Sequence, residues 1–364
     1  MASVGNSNTS ASKVRVLVVD DSASIRNVLR HALARHPQIE VVGLASDGVE
    51  ALQKIAALRP DVVTLDVEMP RMNGLAVLER AAGKVPVSFV MVSTLTQTGA
   101  QITFEALRRG AFDYVPKPEA GALSALPEFR TLVQAKVLAA ARAKGRPKRI
   151  FGRAAASVAP SLPPNQVKGW VVAIGISCGG PPTLTEMLPA FPSDFVPILV
   201  IQHMPAQFTT AFAKQLNDAS AMKVREAEHG ELLQHGTVLI APGDRHLKLT
   251  RSGVGLRVIL DASPKVSGHR PSADVMFAAL AHVCAPRCVG IVMTGMGGDG
   301  AEGVVRLSQA GAWTIAQDEA SSLVYGMPKV AQATGCIDHV APFSKIPELV
   351  ARLINAGVRS AVAS

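Results

Sequence analysis

Apolar and polar positions along the chain fall into two blocks with the same rhythm. In the first, short and mostly apolar runs at Val14–Val19, Glu40–Leu44, Val62–Leu65 and Val87–Val92 alternate with stretches of helical period at Ser22–Arg35, Gly48–Leu58, Leu75–Ala82 and Gly99–Arg109. A short strand surrounds Tyr114, and a last helix lies near Pro127–Ala143. Strands without polar alternation are buried on both faces, so residues 14–138 are predicted to form a parallel sheet covered by helices, a doubly wound α/β domain. The second block begins at Trp170. Strands are expected at Val171–Ile176, Val196–Gln202, Thr237–Ala241 and Val289–Met293, and helices near Thr183–Leu188, Gln207–Asp218, Ala273–Cys284 and Ala301–Ala310. Leu247–Leu260 reads as an inserted antiparallel hairpin turning at Ser252–Gly253. Residues 169–359 are therefore a second α/β domain with a mostly parallel sheet.

Between the blocks the pattern breaks. Residues 139–168 carry Arg142, Lys144, Arg146, Lys148, Arg149, Arg153 and Lys168 with no acid, and Pro147, Pro160, Pro163 and Pro164 interrupt any helix. This is a solvated linker or, alternatively, a basic strip that docks on an acidic surface. Residues 1–13 are small and polar, which reads as a disordered tail and not as a signal peptide. No apolar run reaches membrane-spanning length. Cys178, Cys284, Cys288 and Cys336 form no Cys-x-x-Cys pair, so they are expected as free thiols of a reducing, cytoplasmic compartment. A net charge of +9 admits a nucleic-acid partner, but with aromatics at 4% there is little to stack on bases. No helix-turn-helix unit follows the linker either, so direct nucleic-acid binding is not expected.

The chemistry of the first block gathers at strand ends. Asp20 and Asp21 follow the first strand and Asp66 the third, and neighbouring strand ends of a doubly wound sheet converge on one crevice. Carboxylates placed so closely repel unless a hard divalent cation lies between them, and magnesium is the expected ion. Ser93 ends the fourth strand, and Lys117 follows the fifth. A hydroxyl and an ammonium facing a metal-bound carboxylate suit phosphoryl transfer onto it.

In the second block, Gly175–Ile176–Ser177–Cys178–Gly179 joins a strand to a helix as a G-x-S-x-G turn, which presents a serine hydroxyl. A nucleophile needs a base, and the base needs an acid to orient it. His203 follows the next strand, and Asp299 follows Val289–Met293, so three strand ends can meet at one rim. His246, His269 and His282 compete as bases, and Asp244 and Asp274 as acids, but strand-end position favours His203 and Asp299. Gly295-x-Gly297-x-x-Gly300 also matches a dinucleotide fingerprint, which Asp299 inside the turn argues against. The same turn can aim backbone N–H groups, such as that of Met296, at a developing oxyanion; the N–H of Cys178 is the other candidate.

These residues carry two resemblances. Asp20–Asp21–Ser22, Leu65–Asp66–Val67–Glu68–Met69–Pro70, Asn73–Gly74, Ser93 and Lys117–Pro118 resemble a bacterial response-regulator receiver domain, a flavodoxin-like fold. That resemblance implies Asp66 as phosphoacceptor, Asp20, Asp21 and Asp66 as magnesium ligands, and Ser93, Tyr114 and Lys117 as switch residues. It also implies a cis Lys117–Pro118 bond. Ala173–Gly180, Gln202–Pro205, Ala241–Asp244, His269–Asp274, Thr294–Gly300 and Trp313–Gln317 resemble the chemotaxis receptor protein-glutamate methylesterases, which commonly carry threonine where this chain has Cys178. The implied activity is phosphorylation-activated hydrolysis of glutamate γ-methyl esters, with deamidation of receptor glutamines, by Ser177, His203 and Asp299. Implied partners are methylated chemoreceptor cytoplasmic helices and a chemotaxis-type histidine kinase as phosphodonor. Hydrolysis itself is expected to need no cofactor. The rival reading is a phospho-regulated receptor-binding module without catalysis.

Overall fold

The computed structural model describes residues 12–94, 96–118, 126–143, 158–163 and 167–359. The tail at 1–11 and most of the basic stretch, 144–157 and 164–166, lie outside the described residues. The chain divides into two compact units.

The first sheet is built from β1 (Val14–Val19), β2 (Ile39–Ala45), β3 (Val62–Asp66), β4 (Ser88–Ser93) and β5 (Asp113–Pro116). The helices that alternate with these strands are α1 (Ala23–Ala34), α2 (Gly48–Leu58), α3 (Gly74–Ala81), α4 (Gln97–Arg108) and α5 (Leu126–Ala143). The strand order is β2-β1-β3-β4-β5, parallel throughout, which is the flavodoxin-like arrangement. Val16, Val18, Val62, Val90 and Val92 bury against Leu29, Leu33, Phe129 and Val133, each large side chain contributing about 1.5–3 kcal/mol. Ser22 caps α1 by accepting from the N–H of Ile25, and Asn73 caps α3 by accepting from that of Ala76. The loops after β1 and β3 are thereby ended close to the strand tips that carry Asp20 and Asp66.

The second sheet has seven strands in the order β14-β13-β12-β6-β7-β9-β8, all parallel. They are β6 (Val171–Ile176), β7 (Ile198–Gln202), β8 (Lys223–Glu226), β9 (Thr237–Ile240), β12 (Cys288–Val292), β13 (Trp313–Gln317) and β14 (His339–Ala341). β10 (His246–Ser252) and β11 (Gly255–Asp261) form the separate antiparallel hairpin. The helices are α6 (Gly180–Met187), α7 (Ala206–Ala219), α8 (Ala273–Val283), α9 (Ala301–Gln309), α10 (Met327–Ala333) and α11 (Ile346–Ala356). The predicted elements are present with ends shifted by a few residues, and β8, β13, β14, α10 and α11 are additions. β6 is the pivot, because the chain runs from it to β7 on one side and later returns to β12 on the other. Doubly wound sheets open a crevice at such a reversal of strand order, outside the carboxyl ends of the strands. Phe277 and Leu280 of α8 pack into the core formed with Val171, Ala173, Leu199 and Ile201, which seats α8 against the sheet. Gly175 is required there, since a Cβ on it would lie 2.7 Å from the Cβ of Ala273 at the start of α8.

Candidate active site and phosphoacceptor pocket

In the first unit, the Lys117 ammonium lies 2.9 Å from Asp20 Oδ2 and 2.7 Å from Asp66 Oδ2. Both carboxylates are buried. Burial raises the pKa of Asp66 to about 6 against the pull of Lys117, and the charge of Asp20 adds to the rise. Burial likewise raises Asp20. Lys117 is itself disfavoured as a cation by burial, but its bonds to Asp66 and Asp20 outweigh this and hold its pKa up. Asp20, Asp21 and Asp66 each offer an oxygen within 4.8 Å of the others, an all-oxygen donor set suited to a hard divalent cation. One lysine among three acids leaves negative charge for such a cation to neutralise. Ser93 is buried at the end of β4, and its carbonyl accepts the N–H of Lys117 at 2.7 Å. The ring of Tyr114 is buried, with the Lys136 ammonium 4.8 Å from its centroid. The Lys117–Pro118 bond is not cis; the cis peptides among the described residues are Arg270–Pro271 and Ala285–Pro286. Lys117 reaches both acids from a trans peptide, so aiming its side chain does not require the cis form.

In the second unit, Ser177 follows β6 and His203 follows β7, and Ile176 pairs with Gln202 one step earlier. The N–H of His203 donates to the carbonyl of Ile176, and that of Ser177 to the carbonyl of Thr294 beyond β12. Ser177 is thus stitched between the two strand ends that supply its predicted partners. His203 Nε2 lies 2.7 Å from Asp299 Oδ2. Its Nδ1 is buried without a hydrogen-bond partner among the described residues, Ser177 included. Asp299 and His203 are therefore brought into direct contact, while Ser177 is brought to the adjoining strand end.

Among the described residues Asp299 accepts four hydrogen bonds. Besides His203, they come from Ser272 Oγ at 2.6 Å and from the backbone N–H groups of Ala273 at 2.7 Å and Asp274 at 3.1 Å. The backbone donors are the first amides of α8, a helix end that favours negative charge. Burial opposes ionisation of Asp299, but His203, Ser272 and Ala273 outweigh it and hold its pKa well below the usual carboxylate range. Asp274 returns the arrangement: its Oδ1 accepts from the N–H groups of Gly300 and Gly303 at the start of α9. Burial, opposed by Gly303 and aided by the charge of Asp299, pushes Asp274 up to about 6. Each aspartate so caps the helix adjoining the other.

The competing candidates fall into other places. His246 Nε2 lies 3.1 Å from the carbonyl of Pro264, and Asp244 pairs with Arg270. His282 sits in the last turn of α8. His269 is at the site, but not as a base bonded to an acid: its ring stacks on that of His203, with centroids 3.7 Å apart and planes within 5°. Sequence reasoning missed this stack and the donors to Asp299. The available signal was Ser272–Ala273–Asp274 ahead of an apolar period, a helix start whose amides had to find an acceptor. Met296 is partly exposed just after Gly295, where an added Cβ would stand 2.9 Å from that of Ser177. The carbonyl of Cys178 accepts from Thr294 Oγ1 at 2.9 Å, which fixes the peptide following the serine turn.

Among the described residues no helix is long and apolar enough to cross a membrane. The profile of the CheB methylesterase family matches residues 172–350, and that of the response regulator receiver domain matches residues 16–125. A protein from Pyrococcus abyssi named protein-glutamate methylesterase/protein-glutamine glutaminase is 45% identical over 353 residues, which is 94% of each chain. Protein-glutamate methylesterase/protein-glutamine glutaminase 1 of Caulobacter vibrioides is 47% identical over 94% of this chain and 99% of its own. The crystal structure of the Thermotoga maritima CheB methylesterase catalytic domain aligns with a TM-score of 0.50 at 39% identity, covering 51% of this chain and 99% of that one.

Proposed function

This chain belongs to the protein-glutamate methylesterase/protein-glutamine glutaminase family, and we propose that it hydrolyses glutamate γ-methyl esters on the cytoplasmic helices of chemoreceptors and deamidates glutamines there. The observation that carries the mechanism is the clamped imidazole. Asp299 holds Nε2 of His203, which keeps the proton on that nitrogen and leaves Nδ1, buried and unpartnered, as the acceptor beside the serine strand end.

Ser177 Oγ attacks the ester carbonyl as Nδ1 takes its proton, a contact that tightens only when substrate is bound. The C–O bond to the methoxy group then breaks, and the same proton leaves with methanol. Water, deprotonated by His203, attacks the acyl-serine and releases glutamate. With glutamine, ammonia replaces methanol. Asp299 stays ionised throughout and stabilises the imidazolium. Backbone N–H groups of Cys178 and Met296 hold the oxyanion. None of these steps calls on a cofactor.

In the receiver, Asp66 is the phosphoacceptor, and a chemotaxis-type histidine kinase is the donor. Asp20, Asp21 and Asp66 would hold a magnesium ion, which when bound would supply positive charge to offset that of the transferring phosphoryl group. Lys117 and Ser93 bind the phosphoryl oxygens, Tyr114 reports the change as the aromatic switch, and activity rises on phosphorylation. The protein works in the cytoplasm. The domains are the receiver at 14–138, the basic linker at 139–168 and the esterase at 169–359.

The test is methanol release from methylated receptor membranes by the full chain, with and without a small phosphodonor and magnesium. We expect release that rises with the phosphodonor and falls by at least ~10³-fold in Ser177→Ala. Equal turnover by that variant would remove Ser177 from its role, and no release by the wild type would favour the receptor-binding module.

A further inference from the structure

His203 is held at one corner by Asp299, and a single hydrogen bond at one corner of an imidazole leaves rotation of the ring about Cβ–Cγ broad. Something else must set the plane of the ring if Nδ1 is to face the serine. The face of His203 lies against the ring of His269, 3.7 Å between centroids and 5° from parallel.

The segment that carries His269 is built to hold it. The N–H of His269 donates to the carbonyl of Val266 at 2.9 Å, and the N–H of Val266 donates back at 3.0 Å. The two residues between them, Ser267 and Gly268, have φ of 53° and 80°. That double left-handed turn reverses the chain within two residues, as primed hairpin turns do. Ser267 Oγ donates to Asp274 Oδ2 at 3.2 Å, which ties the turn to the first residues of α8. The same short segment, Val266 to Asp274, therefore supplies both the ring against His203 and three of the donors to Asp299.

We propose that His269 is a positioning residue of the hydrolytic site, whose ring face holds the His203 imidazole in the plane that presents Nδ1 to the Ser177 hydroxyl. This rests on the reading of Ser177 and His203 as nucleophile and base. The chemistry of the stack is consistent with a platform. Burial, joined by the neighbouring His203 and opposed by Asp299, lowers the pKa of His269 to about 4. The platform is thus neutral at working pH and does not repel the imidazolium that forms on His203; a neutral aromatic face attracts a cation. The contribution is geometric, so it acts on kcat and leaves substrate binding alone. Misplacing a reacting group by about 1 Å can cost on the order of 10²-fold.

A flat face separates this role from space filling. In the full chain with phosphodonor and magnesium, His269→Phe keeps a face, while His269→Leu and His269→Met fill the volume without one. Methanol release is measured for variants whose circular dichroism and thermal midpoint match the wild type at the assay temperature. His269→Phe should keep kcat within about threefold, and the aliphatic variants should lose about 10–100-fold in kcat with KM unchanged. An aliphatic variant as fast as the wild type overturns the proposal. So does His269→Phe falling as far as His269→Leu, since the ring nitrogens would then be what matters. Ser177→Ala, run alongside, reports on the esterase reading separately: its failure shows as turnover that survives loss of the hydroxyl, whatever the His269 variants do.

Discussion

Asp66 and Asp299 are the same side chain in the same kind of place, at the carboxyl end of a parallel sheet beside a reversal of strand order, and their acidities move in opposite directions. Asp66 is raised to about 6, whereas Asp299 is held well below the carboxylate range. Both are buried, at 3% and 1% exposure, so burial does not distinguish them. Donors do. Asp299 accepts from an imidazole, a hydroxyl and two helix-end amides. Asp66 faces one ammonium shared with a second carboxylate. A carboxylate satisfied by fixed donors is a permanent charge, suited to orienting a histidine. One left short of positive partners gains from a cation or a phosphoryl group, which suits an acceptor site.

The strongest way to break this contrast is Asp299→Asn. It keeps the shape but replaces an acceptor with an amide that cannot hold the same imidazole tautomer, and kcat for methanol release should fall about 10³–10⁴-fold. A loss under tenfold would mean that the acid does not orient His203. Next is the pH dependence of stability. The folded pKa of Asp66, about 6, stands above its unfolded value of about 4, so its stabilising contribution is full below pH ~4 and is lost as pH rises through 6. Asp299 has the opposite sign, present above pH ~4 and lost as pH falls. Urea denaturation of the full chain without magnesium should therefore show wild type losing about 2 kcal/mol relative to Asp66→Asn between pH 4 and pH 7.5. A gap that does not change with pH would place Asp66 in an ordinary solvated environment. The smallest effect sharpens the donor argument: Ser272→Ala removes one of four donors to Asp299. It should cost about 1 kcal/mol in thermal or urea stability and under tenfold in kcat.

The receiver-like unit was the more legible of the two. Its strands are short, mostly apolar runs, and its chemistry sits on side chains that announce themselves, Asp20, Asp21, Asp66 and Lys117. In the second unit β6 was read with its observed bounds, because Val171–Ile176 is apolar throughout and stops at a glycine-rich turn. β8 escaped because Lys-Val-Arg-Glu is an edge strand, charged at three of its four positions and too short to show a period. β14, three residues long, has no period to show. α11 did carry a signal: Pro347 in its first turn and apolar residues at Ile346, Leu349, Val350, Leu353 and Ile354 mark a helix laid on a core. At the site, the strand-end rule selected Ser177, His203 and Asp299 from among their rivals. It could not reveal what surrounds Asp299, because two of the donors are backbone amides, which every residue type carries. Asp274, weighed as an alternative acid, turns out to brace the loop that holds the one favoured over it.

The crossed caps of Asp274 and Asp299 have a consequence for relatives that lose hydrolysis. Position 299 answers to two demands, polarising an imidazole and anchoring the start of α8, and the second persists when the first is gone. An inert descendant would keep that aspartate merely to fold. Among the described residues Ser177 is tied in through its backbone, whose carbonyl accepts from Gln202 Nε2 and whose N–H donates to Thr294, and not through its hydroxyl, so the fold itself makes no demand on that group. On the proposed mechanism, serine at 177 would therefore be the informative letter for telling working copies from silent ones in a set of homologues, and aspartate at 299 a poor witness.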